Sequence, residues 1–262
     1  MITSSQNEKA RYLRALQDRR RFRQQEQRLV FEGVRLVEEA VLVGFAPVFA
    51  FYTEPLAADE RGRSLLAALG ALGVPSYAVS EAVLAACSDT ETPQGVLAVL
   101  PIPTPASPPR PTLTLVVDGV RDPGNLGTML RTALAAGVEQ VVLAPGTVDV
   151  TSPKVVRAAM GAHLRLPTAT LGWEAIAAAV RDCDVWLAAA SGAQFYTAVD
   201  WTRPAALVVG SEAEGASAQG HCIANGLVSI PMAAGVESLN AAVAAAVIIF
   251  EAARQRRAVR VA

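Results

Sequence analysis

Lysine is nearly absent: Lys9 and Lys154 are the only two in 262 residues. Histidine is as scarce, limited to His163 and His221, so an imidazole-based metal site is not expected and no metal is assigned. Cys87, Cys183 and Cys222 are odd in number, far apart and without a C-x-x-C spacing, which argues against a disulfide framework or a zinc knuckle. Long hydrophobic runs are also missing. The longest, 239–250, is broken by Asn240 and is too short for a bilayer, and no charged-then-apolar leader opens the chain. A cytoplasmic protein with no membrane partner is the expectation.

What is present is apolar mass and arginine. Hydrophobic residues make up 52% of the chain, enough for one large domain or two smaller ones. A net charge of −1 excludes a uniformly basic coat. Yet Arg11, Arg14, Arg19, Arg20, Arg21, Arg23, Arg28 and Arg35 crowd the first turns. That cluster reads either as a solvated basic helix or as an RNA-facing surface.

Periodicity predicts helices over 7–16 and 26–43, the second with Leu29, Val30, Val34, Val37 and Val41 on one apolar face. Strands over 48–52, 76–79 and 95–100 alternate with helices over 60–72 and 80–86, which makes residues 1–100 a small α/β module. Six prolines from Pro101 to Pro111 then fill a stretch that can be neither helix nor central strand, so 101–111 reads as a linker. Over 112–262, strands at 113–117, 140–143, 185–189, 206–209 and 227–230 alternate with helical segments, the last at 238–255. This alternation implies an α/β fold, a mainly parallel sheet with helices on both faces.

Chemistry concentrates at three strand ends. The first, L-V-V-D-G-V-R-D-P-G-N-L-G-T-M-L-R from Leu115, has glycines between a strand and a helix, as in phosphate-cradling loops. However, Gly119, Gly124 and Gly127 fit neither G-x-G-x-x-G nor G-x-x-x-x-G-K-[ST]. The segment carries Asn125, which could cap the helix, and Arg131, expected to have a partly buried stem and a guanidinium reaching for phosphate or carboxylate. In the second, V-V-G-S-E-A-E-G-A from Val208, Gly210 permits close approach of a ligand and Glu212 sets a carboxylate near a helix start. The third, I-P-M-A-A-G-V-E-S-L-N from Ile230, bends through Gly235. There Ser238 is a natural N-cap, whereas Asn240 is a poor helix former whose reason to be there would be orienting a ligand or a catalytic side chain.

In this order and spacing the three segments resemble the signature motifs of the SpoU-type RNA ribose 2′-O-methyltransferases of the SPOUT superfamily. The stretch V-D-V-T-S-P-K-V-V-R-A-A-M-G-A-H from Val148 is similar to the family's segment between its first two motifs. N-E-K-A-R-Y-L-R and F-E-G-V-R-L-V-E-E-A resemble a substrate-binding domain related to a ribosomal RNA-binding protein fold. The resemblance implies a trefoil knot in the C-terminal domain, a homodimer with its active sites at the interface, S-adenosyl-L-methionine as methyl donor, and structured RNA as substrate. The extra N-terminal domain favours ribosomal over transfer RNA.

Carried over by motif, the cofactor contacts fall on Gly210, Ile230 and Leu239, with Met232 a neighbour, and the catalytic set on Asn125, Arg131, Glu212, Ser238 and Asn240. Because a guanidinium has a pKa above about 12, Arg131 is read as a phosphate ligand and alkoxide stabiliser rather than a base. Ala241 and Ala242 stand where many members have a valine-serine pair, a difference in the packing beneath the cofactor. The rival of another class is a non-catalytic RNA-binding dimer on the same scaffold. A nucleotide-dependent α/β enzyme is third, for want of a glycine fingerprint.

Overall fold

The stretch expected as one helix over 26–43 breaks into a strand, a turn and a helix. In the computed structural model, which describes residues 1–212, 214–234 and 236–259 in full and the backbone of 260 and 261, α1 (Glu8–Asp18) and α2 (Arg20–Glu26) lead into β1 (Arg28–Glu32) and α3 (Val34–Leu42). Gln27, left-handed at φ 51°, ends α2, and Gly33, at φ 95°, precedes the first residue of α3. Between them Leu29, Val30 and Phe31 are buried on alternating sides of a sheet. A run of five residues with β-branched and aromatic members fits a strand as well as a helix, and pairing with a distant strand decides it. The chain continues through β2 (Phe49–Tyr52), α4 (Glu54–Ala58), α5 (Glu60–Ala71), β3 (Ser76–Ala78), α6 (Glu81–Cys87) and β4 (Val96–Pro101).

These strands form a mixed sheet in the order β1-β4-β2-β3, with β4 antiparallel to β1 and β2, and β2 parallel to β3. Both faces are covered. Leu29, Phe31, Ala98 and Leu100 pack with α3 and α5 through Val37 and Leu69, while Val30, Leu97 and Val99 pack with α1 and α6 through Leu13 and Leu84. Cys87 lies in the second layer, and its burial pushes the thiol up to about 11, which makes it a packing group rather than a nucleophile.

The proline-rich residues 102–112 form neither helix nor strand. Beyond them come β5 (Leu113–Asp118), α7 (Pro123–Ala136), β6 (Gln140–Leu143), α8 (Pro153–Ala159), β7 (Thr168–Thr170), α9 (Trp173–Ala179), β8 (Asp184–Ala188), β9 (Gln194–Phe195), β10 (Ala205–Gly210), α10 (Ala218–Ile223), β11 (Gly226–Ser229) and α11 (Ala241–Val261). By contacts the chain divides into two compact units, Met1–Pro103 with Asp149–Leu164, and Thr104–Val148 with Arg165–Ala262. So α8, which follows β6 in sequence, belongs to the N-terminal unit. Its Val156 enters that unit's core, and Asp149 pairs with Arg23 at 2.7 Å.

His163 closes the same segment. It is buried, its Nε2 lies 2.8 Å from Val150 O, and its Nδ1 has no hydrogen-bond partner among the described residues. Burial holds its pKa below the usual 6.5, partly offset by the Val150 carbonyl and Asp149. A depressed folded pKa means that the unfolded chain binds the proton more readily below pH 6.5. Stability is therefore complete above that value and falls as pH drops through the folded pKa. Urea unfolding should give a lower midpoint at pH 5.5 than at pH 7.5, and His163→Gln should flatten the difference. An equal pH dependence in the variant would remove His163 as its source.

In the second unit seven parallel strands run in the order β7-β6-β5-β10-β8-β11-β9. Their residues alternate between faces. Val116, Val142, Leu187 and Val208 pack with Ile176 of α9 and with Val180, which follows that helix. Leu115, Val117, Leu207 and Val209, also buried, point to the opposite face, and α11 packs against α7 and β10. Among the described residues no helix is long and apolar enough to cross a membrane.

Candidate active site

Parallel strands place their carboxyl ends on one edge, where loops rather than side-chain layers set the surface. At the ends of the adjoining strands β10, β8 and β11 a cavity of about 360 Å³ opens, floored by Ala241, Ala244 and Ile248 of α11. Gly210, Ile230, Met232 and Leu239 all line it, as do Glu212 and Ser238. Three lining residues were not anticipated: Ser211 and Glu237, which lie within the second and third segments but were given no role, and His221, which lies outside all three. Ala241 and Ala242 are both buried, and Ala241 lines the cavity while Ala242 does not.

Besides lining the cavity, Gly210 makes room for its own chain. A Cβ there would lie 2.3 Å from Ala216 N and Gly215 C, so the close approach it permits is that of the chain's own returning loop. That loop is tied down by Asp118, a buried carboxylate that ends β5 directly opposite Gly210 and accepts from Ser217 N at 2.7 Å. Arg121 and Glu214 pair across the same two loops at 3.2 Å, both largely exposed.

The two asparagines also exchange their expected parts. Asp122, not Asn125, caps α7, its carboxylate accepting from Asn125 N at 2.7 Å. The Asn125 side chain is thereby free. Its Nδ2 donates to Glu212 Oε1, and its Oδ1 accepts from Asn240 Nδ2 at 3.0 Å. Asn240 in turn is the residue that caps α11, accepting from Ala242 N at 2.9 Å and Val243 N at 3.2 Å. The helix therefore starts at Ala241 rather than at Ser238, which sits exposed in the preceding loop. A side-chain cap from Asn satisfies orphan amides and leaves its NH₂ for another partner, which accounts for a poor helix former at that position. One carboxylate and two amides from three distant segments thus form a continuous chain.

Arg131 is not drawn into this cluster. It is exposed, rather than having the partly buried stem expected, and makes no hydrogen bond or ion pair among the described residues. The register of α7 explains this: Leu126, Met129, Leu130 and Ala133 take the buried face and leave position 131 outward. Gly235 lies outside the described residues.

Fold and cavity together define an α/β protein with a cavity of small-ligand size at the carboxyl ends of a parallel sheet. Residues 112–250 match the SpoU rRNA Methylase family and residues 7–98 the MRM3-like substrate binding domain. An uncharacterized tRNA/rRNA methyltransferase of Synechocystis sp. is 38% identical, over 97% of this chain and 94% of that one. The 23S rRNA (guanosine(2553)-2′-O)-methyltransferase RlmP of Bacillus subtilis is 33% identical, over 95% and 97%. The AdoMet-bound rRNA methyltransferase of Sinorhizobium meliloti superposes with a TM-score of 0.83 at 30% identity, over 97% of each chain. The chain belongs to the SpoU rRNA methylase family.

Proposed function

We propose that this protein transfers a methyl group from S-adenosylmethionine to a ribose 2′-hydroxyl of structured RNA, ribosomal RNA in preference to transfer RNA. The observation that carries the reading is the Glu212–Asn125–Asn240 chain, with Asn125 in the middle, beside a cavity that every residue assigned to the cofactor lines. The residues present fit that cofactor. About 360 Å³ falls within the range of small-ligand sites, Ile230, Leu239 and Ile248 offer apolar seating, and Glu212, Glu214 and Glu237 match a cation. When bound, the cofactor supplies a methyl group activated by its sulfonium.

The chain's own task is alignment of the 2′-hydroxyl and relief of the charge it develops. Asn125, Glu212 and Asn240 hold the three loops in register, and Ser238 presents a hydroxyl at the cavity wall. Arg131 binds the neighbouring phosphate and stabilises the developing alkoxide, the proton leaving to phosphate or water. The reading includes a homodimer with active sites at its interface, a trefoil knot in the C-terminal domain and a cytoplasmic location. The isolation of Arg131 from its own cavity supports the dimer, as do Val243 and Phe250, exposed at 48% and 45% two turns apart on α11. Exposed Arg11, Arg19, Arg20 and Arg21, without side-chain hydrogen bonds or ion pairs among the described residues, support an RNA-facing N-terminal unit.

Calorimetry with S-adenosylmethionine, and maps of 2′-O-methyl marks on ribosomal and transfer RNA with and without the protein, test this. Marks lost only from transfer RNA would reverse the substrate preference, and absence of cofactor binding would restore the non-catalytic RNA-binding dimer. Gly210→Ala should push the Glu212 loop away. We expect a stability loss of about 1–3 kcal/mol and cofactor binding weaker by about tenfold, or about 1.4 kcal/mol. Unchanged binding would show that the loop's placement is immaterial to the cofactor.

A further inference from the structure

A cleft of about 690 Å³ lies wholly within the N-terminal unit, between the turn after β1, the loop leading into β4, the start of α5 and the end of α8. Two of its arginines are already engaged. Arg61 is forked onto Glu38, Nε to Oε1 at 2.7 Å, which holds the Glu38 carboxyl below its usual range. Arg157 pairs with Asp89 at 2.8 Å and lies 3.7 Å from buried Glu32. Glu32 is the one carboxylate among the lining residues, but with Glu38 and Asp89, which hold Arg61 and Arg157 from beside the cleft, it offsets the three lining arginines, so the cleft is not an anion trap.

What the cleft does offer is uncommitted hydrogen-bonding capacity beside apolar surface. Thr92 and Gln94 are exposed and make no side-chain hydrogen bond among the described residues, and Val34 and Met160 add apolar lining. Gly33 shapes the turn against Gln94: a Cβ at this φ of 95° would lie 2.6 Å from Gln94 Oε1. Arg35, exposed, with no side-chain hydrogen bond or ion pair among the described residues and only a longer-range attraction to Glu38, brings a planar guanidinium. A neutral heterocycle with donor and acceptor edges matches this chemistry better than a phosphate does. Unpaired RNA bases are held in this way, stacked on aromatic or guanidinium planes and bonded along their edges.

We infer that this cleft receives one unstacked nucleobase of the RNA, its edge read by Thr92 and Gln94 and its face covered by Arg35. The inference rests on the RNA-substrate reading above and adds where base identity is sensed. The unpaired arginines of α1 and α2 would supply the sequence-blind phosphate contacts, so the two surfaces divide specification from positioning.

The experiment is filter binding of an unmodified large-subunit ribosomal RNA transcript across a series of salt concentrations, with S-adenosylmethionine binding measured separately. Thr92→Val combined with Gln94→Ala should raise the RNA Kd about tenfold at every salt concentration and leave both the salt slope and the cofactor affinity unchanged. Alanine at Arg19, Arg20 and Arg21 together should instead flatten the slope. Arg35→Ala should weaken binding with little rescue by Arg35→Lys, which lacks the plane. Because all these side chains are exposed, unchanged thermal melting is expected throughout. An RNA Kd for the Thr92/Gln94 variant within twofold of wild type overturns the inference. Wild-type protein that binds S-adenosylmethionine but not the transcript overturns the ribosomal RNA reading, and this inference with it.

Discussion

Arg131→Ala should lower kcat on ribosomal RNA by about 10²- to 10³-fold, the usual cost of removing one donor that stabilises developing negative charge. It should do so without altering the fold. Arg131 is exposed and makes no hydrogen bond or ion pair among the described residues, so its removal leaves no buried group unpaired. Cofactor affinity should also hold, because Arg131 does not line the cavity. The expected pattern is a fall in kcat and in kcat/KM together, the mark of an interaction made in the transition state. Arg131→Lys refines the result. A lysine keeps the charge but not the planar fork, so activity between wild type and alanine is expected, and near-wild-type turnover would end the case for a bidentate phosphate contact. If Arg131→Ala turned over at more than a tenth of the wild-type rate, the electrostatic role itself would fail.

The apolar runs were enough to place five of the seven strands of the second unit, because a parallel sheet buried on both faces writes itself as short continuous hydrophobic segments, whereas the two edge strands, β7 and β9, are too short and too polar to show. Residues 206–209 became the core of β10 and 227–230 nearly coincide with β11. Helix starts were less legible. Ser238 and Asn240 both have capping chemistry, and the choice between them depends on the Asn125 side chain 115 positions away. The same holds for residues 28–32, where strand and helix share one composition and the pairing of Arg28 with Pro101 decides. Least visible was the return of Asp149–Leu164 to the N-terminal unit. Its partners are single side chains scattered through the first ninety residues, with no periodic signature. The cavity residues were found through motif resemblance, but their geometry was not. Gly210 makes room for backbone of its own chain, a contact that local spacing does not reveal.

That return segment carries the largest expected stability effect. Arg23→Ala should cost about 3–5 kcal/mol, because removing one partner of a buried ion pair leaves the other charge uncompensated. Arg23 is only 4% exposed, and its guanidinium is fully spoken for. Nη2 meets Asp149 Oδ2 at 2.7 Å, Nε meets Thr151 Oγ1 at 3.3 Å, and Nη1 donates to the carbonyls of Leu16 at 2.7 Å and Gln17 at 3.0 Å. Alanine would strand the Asp149 carboxylate and two carbonyls at once, where the chain from β6 enters the N-terminal unit. Asp149→Asn should cost less, since it keeps an oxygen for Thr151 and leaves Arg23 its carbonyl partners. Denaturant unfolding can also locate the damage. Trp173, Trp186 and Trp201 all lie in the second unit, so tryptophan fluorescence should move less than circular dichroism, which sees both units. A loss below about 1 kcal/mol, the range of exposed pairs, would mean that Arg23 is held by packing rather than by its charge. The segment would then be anchored chiefly by Val156 in the core it shares with Leu36 and Val37.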